Sequence, residues 1–220
     1  MKAKIITAAL LSAFFINAAS AEPAAVVGHV GTKYTSDYDR RGQLLSAEAI
    51  QAQVGFNVGV GSFDVFGDFH TNQATDTDTD TNELTVGVGG GLFEDKLNAY
   101  IGVYNTESSG SSSDLEAFAM VQIDTLLAPT VSVYRDTDDS LYTFEGQLSH
   151  TFDLQVADLK IGGIYGNTET SATIDNTYTG AVASLSKTFD ALNVYTDVAV
   201  SDNDTRDNET IWGVGLNLKF

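Results

Sequence analysis

The sequence predicts an all-β fold, a transmembrane antiparallel up-and-down β-barrel of about twelve strands. Three observations predict it: stretches of period-two alternation, the length of those stretches, and the absence of charge from one face of each. The composition agrees, because 220 residues hold only 2 Pro but 20 Gly, 12 Phe and 9 Tyr, and aromatic residues favour strands. No run of about 18 apolar residues occurs, which excludes a helical membrane protein.

The clearest alternation lies in residues 210–220, where Trp212, Val214, Leu216 and Leu218 share one parity. Successive side chains of a strand point to opposite faces, so these four share a face. Four further stretches alternate in the same way: 50–60, 83–92, 115–124 and 192–201. Each is about ten residues long, the length that a tilted strand needs to cross a bilayer. Their apolar parities carry no Asp, Glu, Lys or Arg, as a lipid-facing stripe requires.

Weaker alternation predicts seven more strands, which bring the total to twelve, with 10 to 14 left open. They are placed at about 26–35, 63–72, 97–106, 130–136, 141–152, 158–167 and 177–189. Short turns are expected at 61–62, 94–95, 125–128, 153–157 and 190–191, and longer polar loops at 37–47, 73–83, 105–114, 135–140, 167–177 and 201–209. Short turns that alternate with longer outer loops are typical of outer-membrane barrels.

Residues 1–21 have the order of a secretory signal peptide. Lys2 and Lys4 precede an apolar stretch at 5–16, and small residues at 19–21 form a cleavage site. The barrel domain is then 22–220. We expect export to the outer membrane of a Gram-negative bacterium, with outer-membrane lipid as a partner.

A formal charge of −19 excludes nucleic acid as a partner, because its phosphates would be repelled. The absence of Cys excludes disulfides and thiolate metal sites. Alternating Asp76, Asp78 and Asp80 resemble calcium ligands, but the glycine of an EF-hand loop is missing. We therefore expect a solvated acidic loop, with weak calcium binding left open, and no cofactor.

The last strand carries an assembly signal. Trp212, Leu216, Leu218 and the final Phe220 resemble the terminal strand of bacterial outer-membrane barrels. That resemblance implies recognition by the barrel-assembly machinery.

Residues 35–46 resemble the first strand and loop of the TorF-family porins. That family's pattern runs Ser-Asp-Tyr, two residues, Arg-Gly, three residues, Ser. The matching residues are Ser36, Asp37, Tyr38, Arg41, Gly42 and Ser46. The family has apolar residues where this chain has Asp39 and Arg40. The resemblance implies a porin with a barrel of about twelve strands.

If the apolar parities face lipid, the opposite parities line the lumen. The charged candidates for selectivity are Asp64, Asp68, Glu83, Glu116, Asp124, Glu145, Asp197 and Lys219. Acids predominate, and rings of carboxylates favour cations. Inner glycines such as Gly87, Gly89, Gly213 and Gly215 are expected to leave open space.

The mouth candidates are Asp37, Tyr38, Arg41 and Gly42. Three placements of the Arg41 side chain remain possible. It can lie at the outer mouth, fold inward as a constriction, or pair with Asp37 or Asp39 in its own loop.

No catalytic signature is present. Ser149 and His150 are adjacent and point to opposite faces of a strand, which is wrong for a Ser/His pair. We therefore expect no enzyme.

The leading hypothesis is a porin-like channel that passes small hydrophilic solutes or ions by passive diffusion and favours cations. The alternative is a closed structural or adhesin-like barrel, in which inner residues such as Phe66, Phe118 and Met120 meet across the lumen. A secreted soluble β-sandwich explains the alternation but not the long uncharged stripes.

Overall fold

The computed structural model describes residues 26–41, 43–75, 79–93, 96–110, 113–171, 174–204 and 206–220. The predicted signal peptide, Asp76, Asp78 and Gly42 lie outside these residues. The strands are β1 (Val26–Thr35), β2 (Tyr38–Arg40), β3 (Gln43–Ser46), β4 (Ala49–Val60), β5 (Phe63–Ala74), β6 (Thr81–Leu92), β7 (Leu97–Ser108), β8 (Asp114–Ile123), β9 (Thr130–Asp136), β10 (Tyr142–Asp153), β11 (Asp158–Ser171), β12 (Ile174–Phe189), β13 (Leu192–Asn203) and β14 (Arg206–Lys219).

Twelve of these strands close into one antiparallel barrel. Strands β4 to β14 follow one another around the ring in chain order, and β1 pairs with β4 on one side and β14 on the other. The predicted fold class is therefore confirmed. Within the described residues, no helix is long and apolar enough to cross a membrane.

The period-two pattern separates an outer from an inner face. On β14, Trp212 is 46% exposed and Val214 is 50% exposed. Ile211, which directly precedes Trp212 and has the opposite parity, is only 7% exposed. The outer face also contains threonines, whose hydroxyls bond to the neighbouring strand: Thr32 Oγ1 donates to the Gln51 carbonyl at 2.9 Å. A hydroxyl bonded in this way can face hydrocarbon without an unsatisfied polar group.

The two ends of the barrel differ. The turn end carries the connections at 61–62, 93–96, 124–129, 154–157 and 190–191, and the loop end carries the other connections, beginning with 36–48.

The prediction of long loops at 167–177 and 201–209 was wrong. β11 runs to Ser171 and β12 begins at Ile174, while β13 runs to Asn203 and β14 begins at Arg206. Thr and Asn residues there continue the hydrogen-bonded ladder, because a closed barrel pairs every backbone group whether or not the strand is apolar. The connection between β1 and β4 is the long one, and it contains the small β2–β3 sheet.

Candidate functional site

Residues 36–41 and 43–48, called here the inserted hairpin, cross the inside of the barrel at the loop end. Arg41, at the turn between β2 and β3, contacts β8 and β9. In the ring, β9 is opposite β1, from which the hairpin starts, and β8 is beside it. The hairpin therefore spans the lumen, so Arg41 folds inward and takes neither the rim position nor the pairing with Asp37 or Asp39.

Arg41 forms a closed charge pair with Glu116. Its Nη1 donates to both carboxylate oxygens, at 2.7 and 2.8 Å, and the two side chains are 14% and 12% exposed. The guanidinium carbon lies 3.7 Å from the ring centroid of Tyr134 and 5.4 Å from that of Tyr104. Burial alone would lower the pKa of Arg41, but the Glu116 carboxylate overcomes this and the pKa is raised. Arg41 is therefore a permanent cation in the lumen.

The Arg41 backbone is strained. Its φ is 50°, in the left-handed region, which costs about 1 kcal/mol for a residue with a Cβ. The contacts of the guanidinium hold the residue in this conformation.

Two further contacts anchor the hairpin to other strands of the barrel. The Tyr38 hydroxyl donates to Glu83 Oε1 on β6 at 2.5 Å, and Glu83 Oε2 lies 3.3 Å from His70 Nδ1. On the other side, Ser201 Oγ of β13 donates to Asp39 Oδ2 at 3.2 Å. The hairpin is thus held from β6, β8 and β13 together.

The base of the hairpin is buried. Asn72 Nδ2 donates to Ser46 Oγ at 3.2 Å, and both residues are at most 1% exposed. Ser36 bonds to β14, because its amide donates to the Trp212 carbonyl at 2.9 Å and its hydroxyl accepts from the Trp212 amide at 3.1 Å. Both ends of the hairpin are therefore fixed to the barrel wall.

A cavity of about 430 Å³ lies between the hairpin and the wall formed by β10 to β14. Its charged lining comes from Lys33 of β1, Lys160 of β11 and Asp197 of β13, and from Asp37, Asp39 and Arg41 of the hairpin. Lys33 Nζ and Asp197 Oδ2 form an ion pair at 2.9 Å. The space beside the hairpin is therefore polar and carries both signs of charge.

The inner glycines do not leave open space, so that expectation was wrong. A Cβ on Gly213 would collide with Lys33, and one on Gly87 would collide with Phe66. The glycines let large side chains of neighbouring strands lie flat along the wall. Phe66 packs against Tyr100 of β7, with ring centroids 5.9 Å apart, which is a contact along the wall.

Two of the predicted lumen acids pair with histidines or tyrosines on the inner face. Asp68 Oδ2 lies 2.8 Å from His29 Nε2, and Glu145 accepts from the Tyr178 hydroxyl at 2.6 Å. Asp64 is half-buried on β5, opposite Gly59 and Gly89.

Lys219 is exposed at the turn end, opposite His29. Asp124 lies one residue beyond the end of β8 and is exposed in the following turn. Asp124 is therefore at the rim rather than on the lumen wall, because β8 ends at Ile123. The contribution of all these groups to selectivity stays a prediction.

The predicted assembly residues lie on the outer face. Leu216 and Leu218 are 44% and 41% exposed and share this face with Trp212. Phe220 pairs with Gly28 at the seam between β14 and β1: Gly28 N donates to Phe220 O at 2.7 Å and Phe220 N to Gly28 O at 3.0 Å.

Ser149 and His150 point to opposite faces. Ser149 lines the inner cavity, whereas His150 Nδ1 lies 2.6 Å from the Leu126 carbonyl in a turn. Among the described residues, no three His, Asp or Glu side chains are grouped as metal ligands.

Sequence reasoning missed the partners of the hairpin. Tyr134 and Ser201 were not candidates, because nothing in their local sequence distinguishes them from other inner-face residues. The spacing of the residues at 36–46 was the signal that could have found the hairpin contacts.

Solved structures show the same fold. The chain is similar to the KdgM porin, with a TM-score of 0.59 and 13% identity over 87% of this chain and 99% of that one. It is also similar to the COG4313 outer membrane channel from Pseudomonas putida F1 (TM-score 0.57, 14% identity, 91% and 97% covered) and to the NanC porin (0.55, 10%, 89% and 100%). The outer membrane phospholipase A from Escherichia coli also shares the fold (0.54, 12%, 87% and 92%).

The sequence matches no protein-family model and no curated protein. At these identities the likenesses establish the fold alone, which is that of outer-membrane β-barrels.

Proposed function

We propose that the chain is an outer-membrane channel that passes small hydrophilic solutes or ions by passive diffusion and performs no chemistry. The observation that supports this proposal is the inserted hairpin, which crosses the lumen and leaves a polar cavity of about 430 Å³ on one side of it. A tethered segment that narrows a barrel without filling it sets a size limit for solutes. Selectivity then follows from the width and charge of the remaining path.

We propose that this channel favours cations. The inner face and the hairpin carry more carboxylates than ammonium or guanidinium groups, and rings of carboxylates favour cations. Four acids have a basic or imidazole partner: Asp68, Glu83, Glu116 and Asp197. Asp64 has none among the described residues, so it contributes its full charge to the path.

The acidic lumen argues against an acidic sugar as the solute. One solved structure is of the KdgM porin in complex with disordered oligogalacturonate, which is a polyanion. A polyanion would be repelled by the carboxylates of this lumen. We therefore propose cations and uncharged or zwitterionic solutes for this chain.

The proposal includes export and assembly. Residues 1–21 act as the leader, and the outer face of Val and Leu side chains contacts outer-membrane lipid. The assembly machinery reads the strand that ends in Phe220. The absence of charge from the apolar parities of 50–60, 83–92, 115–124, 192–201 and 210–220 supports this placement.

Membership of the TorF family is also a proposal. The spacing that resembles that family coincides with the anchors of the inserted hairpin. Ser36 bonds to β14, Tyr38 to β6, Arg41 to β8 and Ser46 to β5. Four of the six residues that match the family pattern therefore bond the hairpin to the barrel wall, which supports the resemblance.

The experiment is single-channel recording in planar bilayers with a KCl gradient. Purified wild-type protein is expected to give discrete conductance steps and a reversal potential of the sign for cation preference. Stepwise conductance with anion preference would overturn the cation proposal but not the channel. No conductance across replicate insertions would overturn the channel.

A closed structural or surface-interaction barrel is the second candidate. The observation that favours it is the number of strands to which the inserted hairpin is bonded, since a hairpin held from β6, β8 and β13 is rigid. If the wild-type protein gave no conductance and the Glu116→Gln variant, which lacks the carboxylate that holds Arg41, did conduct, the barrel would be of this closed kind.

A further inference from the structure

Three polar side chains form a row on the inner face beneath the hairpin. Lys160 of β11 pairs with Ser184 of β12, which pairs with Asp197 of β13. Directly paired residues point to the same face. Lys160 and Asp197 both line the cavity, and their Cα atoms are two strand spacings, or about 10 Å, apart.

Asp197 has one satisfied and one free oxygen. Its Oδ2 accepts from Lys33 Nζ at 2.9 Å, while its Oδ1 is buried and has no hydrogen-bond partner among the described protein groups. The side chain is 11% exposed. A buried acceptor without a donor is unfavourable, so an N–H group that reached this oxygen from the cavity would gain a hydrogen bond.

Lys160 supplies the opposite charge. It lines the same cavity and forms no ion pair with any residue of the described ranges. A solute carboxylate would find an uncommitted ammonium group at this position. Lys33 cannot serve in the same way, because Asp197 already holds its Nζ.

The charges around the cavity balance in number, because Lys33, Arg41 and Lys160 are positive and Asp37, Asp39 and Asp197 are negative. A solute with a single charge therefore meets no net attraction from this lining. A molecule with both charges meets a favourable partner for each. The volume of about 430 Å³ lies in the range of about 300 to 1,000 Å³ that is usual for small-molecule sites.

We infer that this cavity is a subsite for small zwitterionic solutes, amino acids or short peptides, with the solute ammonium group on Asp197 Oδ1 and its carboxylate on Lys160 Nζ. The inference rests on the proposed channel and names its solute class. The path beside the hairpin then favours zwitterions over uncharged molecules of the same size.

The test is swelling of proteoliposomes in two solutes of nearly equal size. Glycylglycine is the zwitterion and N-acetylglycinamide the uncharged solute. The proteins are wild type, Lys160→Gln, Asp197→Asn and Lys187→Gln. Lys187→Gln is the matched control, because Lys187 is also an exposed lysine but lies on the outer face of β12, where it pairs with Val194, and does not line the cavity. Heat-dependent gel mobility checks that each barrel is folded.

Wild type is expected to admit glycylglycine about threefold faster than the uncharged solute, a ratio within the range of one exposed ion pair. Lys160→Gln and Asp197→Asn are expected to abolish the preference, and Lys187→Gln to keep it. Lys160 is exposed, so Lys160→Gln keeps the test valid even if Asp197→Asn destabilises the barrel by freeing Lys33.

Two results would overturn the inference and leave the channel standing. One is equal entry of both solutes into wild-type vesicles, well above the rate of protein-free vesicles. The other is equal loss of preference in Lys160→Gln and Lys187→Gln. Entry of both solutes at the protein-free rate would overturn the channel, and the subsite with it.

Discussion

Arg41 and Glu116 connect the inserted hairpin to the far wall of the barrel. One guanidinium nitrogen donates to both oxygens of the carboxylate, at 2.7 and 2.8 Å, and Tyr134 covers the guanidinium. The two residues are 75 positions apart in the sequence. The pair therefore joins two distant parts of the chain across the lumen.

Arg41→Ala is expected to raise single-channel conductance severalfold, because the hairpin loses its contact with β8. It is also expected to lower the free energy of unfolding by about 3 kcal/mol, since Glu116 is left buried without a counter-charge. Planar-bilayer recording and urea unfolding measure the two effects.

The matched control for this prediction is Arg135→Ala. Arg135 is exposed on the outer face near the loop end, where it bonds to Ser140 and lies over Tyr142. Its removal deletes the same charge without touching the hairpin. Conductance that is unchanged in Arg41→Ala would contradict a constricting role for the hairpin.

The wall of the barrel could be predicted from the sequence, but the content of its lumen could not. Val194, Thr196 and Val198 share one face because successive side chains of a strand point to opposite faces, and this alternation is a local property. The partner of Arg41 depends on how far the hairpin reaches across the ring, and no local pattern encodes that distance.

The glycines show the same limit. Gly213 and Gly215 were correctly placed on the inner parity, yet the space above them is filled by Lys33 and Tyr195 from neighbouring strands. Which side chain covers a glycine depends on the register of pairing, and register depends on the whole barrel. The same reason explains the loop lengths, because Thr and Asn residues extend a ladder only where a partner strand is present.

Gly213→Val is expected to destabilise the barrel by about 1 to 3 kcal/mol, the usual cost of overpacking. A Cβ there collides with Lys33 Cε and lies 3.0 Å from the Tyr34 carbonyl oxygen, so Lys33 would have to leave Asp197. Urea unfolding in lipid vesicles measures the change.

The control is Gly146→Val, since a Cβ on Gly146 meets nothing within 4 Å. It is expected to change the free energy of unfolding by less than about 0.5 kcal/mol. If both valine variants were equally destabilised, the cause would be the loss of glycine in a strand and not the crowding of Lys33.

Asp64→Asn is expected to lower the cation-to-anion permeability ratio by about twofold, because one charge near a permeating ion in a water-filled lumen contributes a few tenths of a kcal/mol. Asp68→Asn is expected to have a smaller effect, since Asp68 is paired with His29. Reversal potentials in a KCl gradient measure both.

Asp202→Asn serves as the control for the loss of one negative charge. Asp202 is exposed near the loop end and pairs with Thr179 on the outer parity of β13. A reversal potential that shifts equally in Asp64→Asn and Asp202→Asn would show that net charge, and not the lumen, determines selectivity.

Phe220→Ala is expected to reduce the amount of barrel assembled in the outer membrane severalfold while leaving the stability of the folded protein almost unchanged. The Phe220 ring is 72% exposed, so its truncation removes little buried area and costs less than about 1 kcal/mol. The backbone pairing of Phe220 with Gly28 closes the seam and is kept in the variant. Membrane fractionation measures assembly, and urea unfolding of protein refolded from purified chains measures stability.

Phe189→Ala is the control, because Phe189 is also exposed at the turn end, and it is expected to assemble normally. An equal assembly defect in the two variants would mean that an aromatic residue at the membrane boundary is sufficient and that the position of Phe220 carries no signal.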